Sequence, residues 1–249
     1  MIRRAAGLAM KLRVLYLDNH LLVLFKPAGM LAQADETGDP DILSAGKDYL
    51  KRRFAKPGNV YLGLVHRLDR PASGIMVLAR SSKAAARLTG QFRFRQVHKK
   101  YLAIVAGALV GEGQWHDHLF KDGRNTKVVP AGHPHGKEAS LSWKCLGNWQ
   151  GFSLAEIELH TGRPHQIRVQ FASRGHPLLG DFRYGSDRQL DGVSLALHGY
   201  RLGLSHPIRQ VPMAWWVMPP KSWDGWFRPE LAALEEALER ECGQPDEQE

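Results

Sequence analysis

Apolar residues recur along the chain in short runs cut by turn-forming residues, a rhythm that favours strands over long helices. Leu12–Leu17 and Leu21–Phe25 are two such runs either side of Asp18-Asn19-His20, and they predict a hairpin ended by Lys26-Pro27-Ala28-Gly29. Ile42, Leu43, Leu50 and Phe54 predict a helix over Asp41–Phe54, stopped by Lys56-Pro57-Gly58. Val60–Val65 and Ile75–Ala79 are strand-like and flank the polar segment HRLDRPASG. Ser81 or Ser82 can cap a helix reaching Phe94, and Val97–Val105 returns to strand character. From Trp115 to Leu159 short alternating stretches punctuated by Gly, Asn and Pro predict antiparallel strands. Pro164–Ser173 reads as a helix with Pro in its first turn and Ile167 and Phe171 spaced for burial. Leu195–Leu204 and Met213–Val217 read as late strands, and Trp223–Glu241 as a last helix.

Many strands with helices inserted irregularly imply an α+β fold: a mixed, mainly antiparallel sheet with peripheral helices. With 249 residues, 43% of them hydrophobic, the chain can bury a sizeable core. One domain over residues 12–241 is expected, with an extension over 1–11 and an acidic, flexible tail over 242–249. Neither GxGxxG nor GxxxxGK[ST] occurs, so dinucleotide and P-loop binding are unsupported. No apolar run approaches the roughly 18 residues of a membrane span, and the opening segment lacks a secretory apolar core. A cytoplasmic protein is expected, with Cys145 and Cys242 as reduced thiols.

Charge sharpens the picture. The net charge is +9, but residues 230–249 hold eight Asp/Glu and one Lys/Arg, which leaves +16 on the remainder. From Arg70 to Gly111 there are eight Lys/Arg and no acidic residue. A field of that sign and density favours a polyanion, because each neutralised phosphate releases counterions.

Three clusters carry candidate chemistry. Asp69 lies between Arg67 and Arg70 in a loop held by two apolar strands, a rigid mount for a functional carboxylate. In Thr161–Arg168, His165 and Arg168 would share one helix face, and donors gathered at a helix start suit phosphate or base-edge contacts. Lys99-Lys100-Tyr101 sets an aromatic among cations, the composition of a base-stacking site. The pairs His116/His118 and His133/His135 lack the Cys cluster or HExxH that would mark a metal site, and no metal is expected. On these residues alone, a non-catalytic RNA-binding module and a hydrolase stay open beside an RNA-modifying enzyme. A glycosidase would need a second carboxylate, and Asp181 is available for it.

Taken together, the motifs resemble the RluA-type family of RNA pseudouridine synthases. HRLDRPASGIMVLAR (residues 66–80) is close to the family's HRLDxxTSG segment, and KKYLAIVAG and LHTGRPHQIR are similar to its second and third motifs. LFKPAGM, GDFRYG and LHGYRLGLSHP follow the family's order. The resemblance implies a mainly antiparallel sheet around a central cleft, no cofactor, and the isomerisation of uridine to pseudouridine in tRNA or rRNA. It implies Asp69 as the essential carboxylate, acting as nucleophile at C1′ or as base toward the sugar. It further implies Tyr101 stacked on the target uracil, Arg168 paired with the carboxylate, and Arg67 filling the space of the extruded nucleotide. His66, Arg70, Lys99, Arg163, His165 and Gln166 are expected to contact RNA. A single catalytic domain without an S4 domain, a monomer needing no protein partner, is expected. Ala72 stands where the family has Thr, and Gln170 where His commonly follows the third motif.

Overall fold

The computed structural model describes residues 12–242. The expected extension over 1–11, and all of the acidic tail except Cys242, lie outside the described residues.

The first hairpin forms as expected from β1 (Val14–Leu17) and β2 (Leu21–Lys26), with Asp18 Oδ1 accepting from the N–H groups of His20 and Leu21 to close the turn. Asp41 caps α1 (Ile42–Arg53) by accepting from Ser44 N–H, and of the two candidate serines it is Ser81 that caps α2 (Ser82–Arg93). Between them lie β3 (Gly63–Leu64) and β4 (Ser73–Ala79). β5 (His98–Ala106), β6 (Glu112–Asp122), β7 (Asn125–Val129), β8 (Lys137–Trp149) and β9 (Phe152–Leu159) supply the antiparallel middle. The last elements are α3 (Gln166–Ala172), β10 (Leu197–Ser205), β11 (Pro212–Trp216) and α4 (Arg228–Cys242).

The strands form one eleven-stranded sheet, ordered β1-β2-β4-β10-β5-β9-β8-β6-β7, with β11 on β10 and β3 on β4. Every pair is antiparallel except β4 with β10, which meet in parallel at Ser73/His198 and Gly74/Gly199. The α+β, mainly antiparallel architecture is therefore the one expected.

Three boundaries differ from the sequence reading. Val60–Val65 pairs only over Gly63–Leu64, because β10 and β3 share one edge of β4 and β10 holds its beginning. The last helix starts at Arg228: Pro220, a 3-10 turn over Lys221–Trp223 and a left-handed Phe227 (φ 49°) intervene. α3 starts two residues after Pro164, and its residues Gln166–Phe171 are all buried rather than amphipathic.

β4 is buried along its whole length, as a strand covered on both faces must be. On one face Leu22, Leu24, Met76 and Leu78 pack with Ile42 and Leu50 of α1, and Ile167 and Phe171 of α3 join the same core. On the other, Val23, Ile75 and Val77 pack with Ala84 and Leu88 of α2. The seam between β4 and β10 requires glycine. Gly74 has φ 140°, and a Cβ there would lie 2.6 Å from the Gly199 backbone. That close approach fixes the loop preceding β4, which carries Asp69.

Candidate active site

A cleft of about 590 Å³ opens at this seam, lined by the loop before β4, the end of α2, the start of β5 and the segment leading into α3. Asp69, Tyr101 and Arg168 all line it, and among the described residues Asp69 is its one acidic lining residue beside Arg67, Arg93, Arg95, Lys99 and Arg163. Three separate sequence motifs thus meet in one place.

Arg168 organises the cleft. Its Nη1 donates to Asp69 Oδ2 at 3.0 Å, while Nε and Nη2 grip Asp181 at 2.7 and 2.8 Å. Burial works against the Arg168 cation, but the carboxylates of Asp181 and Asp69 together outweigh it and raise the pKa. Asp69 remains partly open, its side chain 24% exposed against 1% for Asp181. Among the described residues its second oxygen, Oδ1, accepts no hydrogen bond, so one lone-pair-bearing oxygen stays available to a substrate.

His165 stands 3.8 Å from Asp69 Oδ2 through Nε2. It occupies a left-handed position (φ 54°) just before α3, which swings its ring off the helix toward Tyr184. Tyr184 Oη accepts from Thr126 N–H and shares a 2.8 Å hydrogen bond with His165 Nδ1, which holds the ring with its other nitrogen facing Asp69. Burial lowers the His165 pKa, and the Asp69 charge offsets this only in part.

Tyr101 packs its ring against Gly199, where an added Cβ would come within 3.3 Å. Burial, and then the Asp69 charge, push its hydroxyl pKa upward, so it stays a neutral ring. Lys99 lies on the same wall, its pKa lowered by burial and then by Arg95.

The other expected residues divide. Arg67 is exposed at the cleft, and Arg163 lines it with Nε donating to Glu138 O. Gln166 braces the turn instead: its Oε1 accepts from Thr161 Oγ1 and Arg163 N–H, and its Nε2 donates to Ser140 O. His66 lines the cleft wall, but its Nε2 accepts from Val77 N–H on the stretch of β4 edge between β3 and β10. Stacked on Phe92 and pushed down to about 3 by burial, it is a neutral ring at pH 7. Arg70 turns away from the cleft, donating to Gly29 O and pairing with Asp39 at 2.7 Å.

Asp181, weighed at first as a second catalytic carboxylate, is enclosed with both oxygens on Arg168, so it cannot face Asp69 across a substrate bond. Among the described residues no group of three His, Cys, Asp or Glu is placed to hold a metal ion. His133 and His135 instead pack around Phe120.

The match to known proteins agrees with this geometry. The RNA pseudouridylate synthase profile matches residues 20–173, which include Asp69, Tyr101 and Arg168. The chain belongs to that family. It is 35% identical over 217 residues to ribosomal large subunit pseudouridine synthase D of Xylella fastidiosa, covering 81% of this chain and 64% of that protein. The chain thus spans just under two thirds of that relative. It is 33% identical over 224 residues to tRNA pseudouridine synthase C of Pasteurella multocida, covering 81% of this chain and 88% of that one. In fold it is similar to human RNA pseudouridylate synthase domain containing 4, with TM-score 0.70 and 24% identity over 90% of this chain and 93% of that one.

Within this pseudouridylate synthase fold two side chains stand out that the sequence reading did not single out. Tyr184 orients His165 and also lies under the Arg168 guanidinium, 5.0 Å from ring centroid to Cζ. Lys26 is fully buried and donates to the carbonyls of Pro27, Met30 and Arg70 at 2.8–3.2 Å, directly behind the Asp69 loop. Burial lowers its pKa to about 7, against the pull of the Asp69 charge. Ala72, in the Thr position, is buried in the cleft wall, and Gln170 Nε2 donates to Asp117 at 2.6 Å.

Proposed function

We propose that the chain is an RNA pseudouridine synthase, an isomerase that converts uridines of ribosomal or transfer RNA to pseudouridine with Asp69 as its catalytic carboxylate. The observation that carries this reading is the Asp69–Arg168 pair at 3.0 Å beside Tyr101 in a cationic cleft. In the reaction the N1–C1′ bond breaks, the base turns, C5 bonds to C1′, the C5 hydrogen leaves to water and N1 takes a proton. Every atom except that exchangeable hydrogen stays in place, so the conversion calls for no redox cofactor.

The unbonded Oδ1 of Asp69 suits either attack at C1′ or proton removal from the sugar, and the Arg168 hydrogen bond to Oδ2 orients the carboxylate for both. Extruding a paired uridine costs a few kcal/mol. Stacking on Tyr101, worth roughly 1–3 kcal/mol, offsets part of it. Phosphate contacts from Arg67, Lys99 and Arg163 add to this, and Arg67 reaches into the space the nucleotide leaves. The names of the relatives support ribosomal or transfer RNA as substrate. We place the enzyme in the cytoplasm, acting as a monomer.

Release of tritium from RNA carrying 5-tritiated uridine, without strand cleavage, tests the reading. Asp69→Asn should abolish release and leave RNA affinity within about twofold. Tritium release by the Asp69→Asn protein would end the proposal.

A further inference from the structure

The polypeptide between α2 and β5 forms a ridge with two different sides. Arg93 and Arg95 line the catalytic cleft, whereas Phe94 and Gln96 line a separate outer groove of about 520 Å³. The ridge is a helix C-cap motif in full. Gln96 N–H donates to Gln91 O at 2.9 Å and Arg95 N–H to Phe92 O at 3.3 Å, with Arg95 in the left-handed position (φ 59°). Val97, buried at 5% exposure, anchors its far end. The alternation is therefore held by backbone hydrogen bonds.

Phe94 is 68% exposed at the crest, with the Arg93 guanidinium 5.7 Å from its ring centroid. Among the described residues no acidic side chain lines the outer groove, which continues from Phe94 past Arg87, Gln91, Gln96 and Gln210. An open aromatic face between cations, leading from a cationic cleft into an acid-free groove, is the arrangement that holds single-stranded nucleic acid. An apolar protein partner would find one ring in a groove whose other walls are mostly polar, Arg87, Gln91, Gln96, Ser205, His206 and Gln210, with Pro207 the other apolar side chain.

We propose that this ridge is a second RNA subsite: the strand flanking the target uridine leaves the cleft between Arg93 and Arg95, stacks one base on Phe94 and runs on along the outer groove. The subsite deepens the synthase reading and rests on it for the identity of the RNA. Base stacking is sequence-tolerant, so Phe94 would contribute affinity rather than choice of sequence.

The test uses the full chain and two fluorescein-labelled probes, a twelve-nucleotide oligouridylate and an abasic ribose-phosphate strand of equal length. Phe94→Ala should weaken the oligouridylate by roughly 5- to 20-fold in anisotropy titrations, from one exposed stack. It should leave the abasic strand unchanged, and Phe94→Trp should restore binding. Because the ring is exposed, the melting temperature of Phe94→Ala should match the parent's. Equal binding of oligouridylate by Phe94→Ala and parent overturns the subsite, as does an equal loss on both probes. A changed sedimentation coefficient with unchanged oligouridylate binding would instead assign the ring to a contact between copies, and would also overturn it. Tritium release by the parent is scored separately, so failure of the catalytic reading is distinguishable from failure of the subsite.

Discussion

Asp181 takes two of the three guanidinium nitrogens of Arg168, leaving only Nη1 for Asp69. The more enclosed carboxylate thus fixes the arginine, and the arginine then presents one donor to the more open carboxylate. Asp181 is a positioning residue acting through Arg168.

Asp181→Asn should expose that division of labour. It leaves a buried guanidinium facing a neutral amide, and breaking such a pair costs roughly 3–5 kcal/mol when one partner is removed outright. The amide retains one acceptor, so a loss of about 2–3 kcal/mol in urea unfolding is expected. With Arg168 free to swing, kcat for tritium release should fall about 10- to 100-fold while KM changes little. A variant that loses affinity at unchanged kcat would contradict this role.

Arg168→Lys separates charge from geometry. An ammonium supplies a point charge but cannot serve Asp69 and Asp181 through a planar fork. Its kcat should fall at least about 100-fold, nearer to Arg168→Ala than to the parent, and Arg168→Ala should cost roughly 3–5 kcal/mol of stability. A Lys variant of parental activity would mean that charge alone suffices.

The motifs around Asp69, Tyr101 and Arg168 were legible because each is a contiguous word, and the many short strands with irregularly inserted helices carried the fold class. What joins the words was not. Asp181 was visible as a residue, but its enclosure depends on α3 and the GDFRYG turn meeting in space. Helical spacing sets His165 and Arg168 on one face opposite Ile167 and Phe171, yet His165 precedes the helix and α3 is seven residues long with Gln166–Phe171 all buried, so the spacing has no polar side to report. Arg70 sits next to Asp69 in sequence, but Gly29 O and Asp39 draw it to the opposite side of the loop. His66 serves as a substitute for strand pairing, a tertiary fact that no local pattern encodes. Lys26 did leave a trace. Two-residue alternation sets it on the buried face with Leu22 and Leu24, an inward charge that needs partners.

His198 links the seam to acid stability. Its Nε2 meets Val217 O at 2.9 Å and must donate, so Nδ1 accepts from Ser73 Oγ at 2.8 Å and the ring is neutral. Burial holds its pKa at about 4, below the ordinary 6.5. The unfolded chain therefore binds more protons between those values, and stability present above pH 6.5 is lost as pH falls toward 4. The loss from this ring is at most about 3 kcal/mol. His198→Gln should be less stable than the parent at pH 7.5, and the gap should narrow at pH 4.5 in urea titrations. A gap constant with pH would rule out His198 as the titrating group.

Lys26 offers three N–H donors to three carbonyls, those of Pro27, Met30 and Arg70, and the last belongs to the residue after Asp69. Removing the ammonium leaves the Pro27 and Met30 carbonyls without a donor and takes one of two donors from Arg70 O, at about 1–3 kcal/mol for each carbonyl left bare that water cannot reach. Met fills the same volume without a charge, so Lys26→Met also relieves the burial that pulls the lysine pKa to about 7. The two effects oppose, and the unsatisfied carbonyls should win, because the lysine already sits in complete coordination. A net loss of about 2–4 kcal/mol is expected, with kcat for tritium release reduced about tenfold as the Asp69 loop loosens. The loosening should be seen directly as faster amide exchange at Gly29, whose N–H donates to Arg70 O at 2.8 Å. Unchanged exchange there, in a variant that melts like the parent, would show that the loop holds its shape without the lysine.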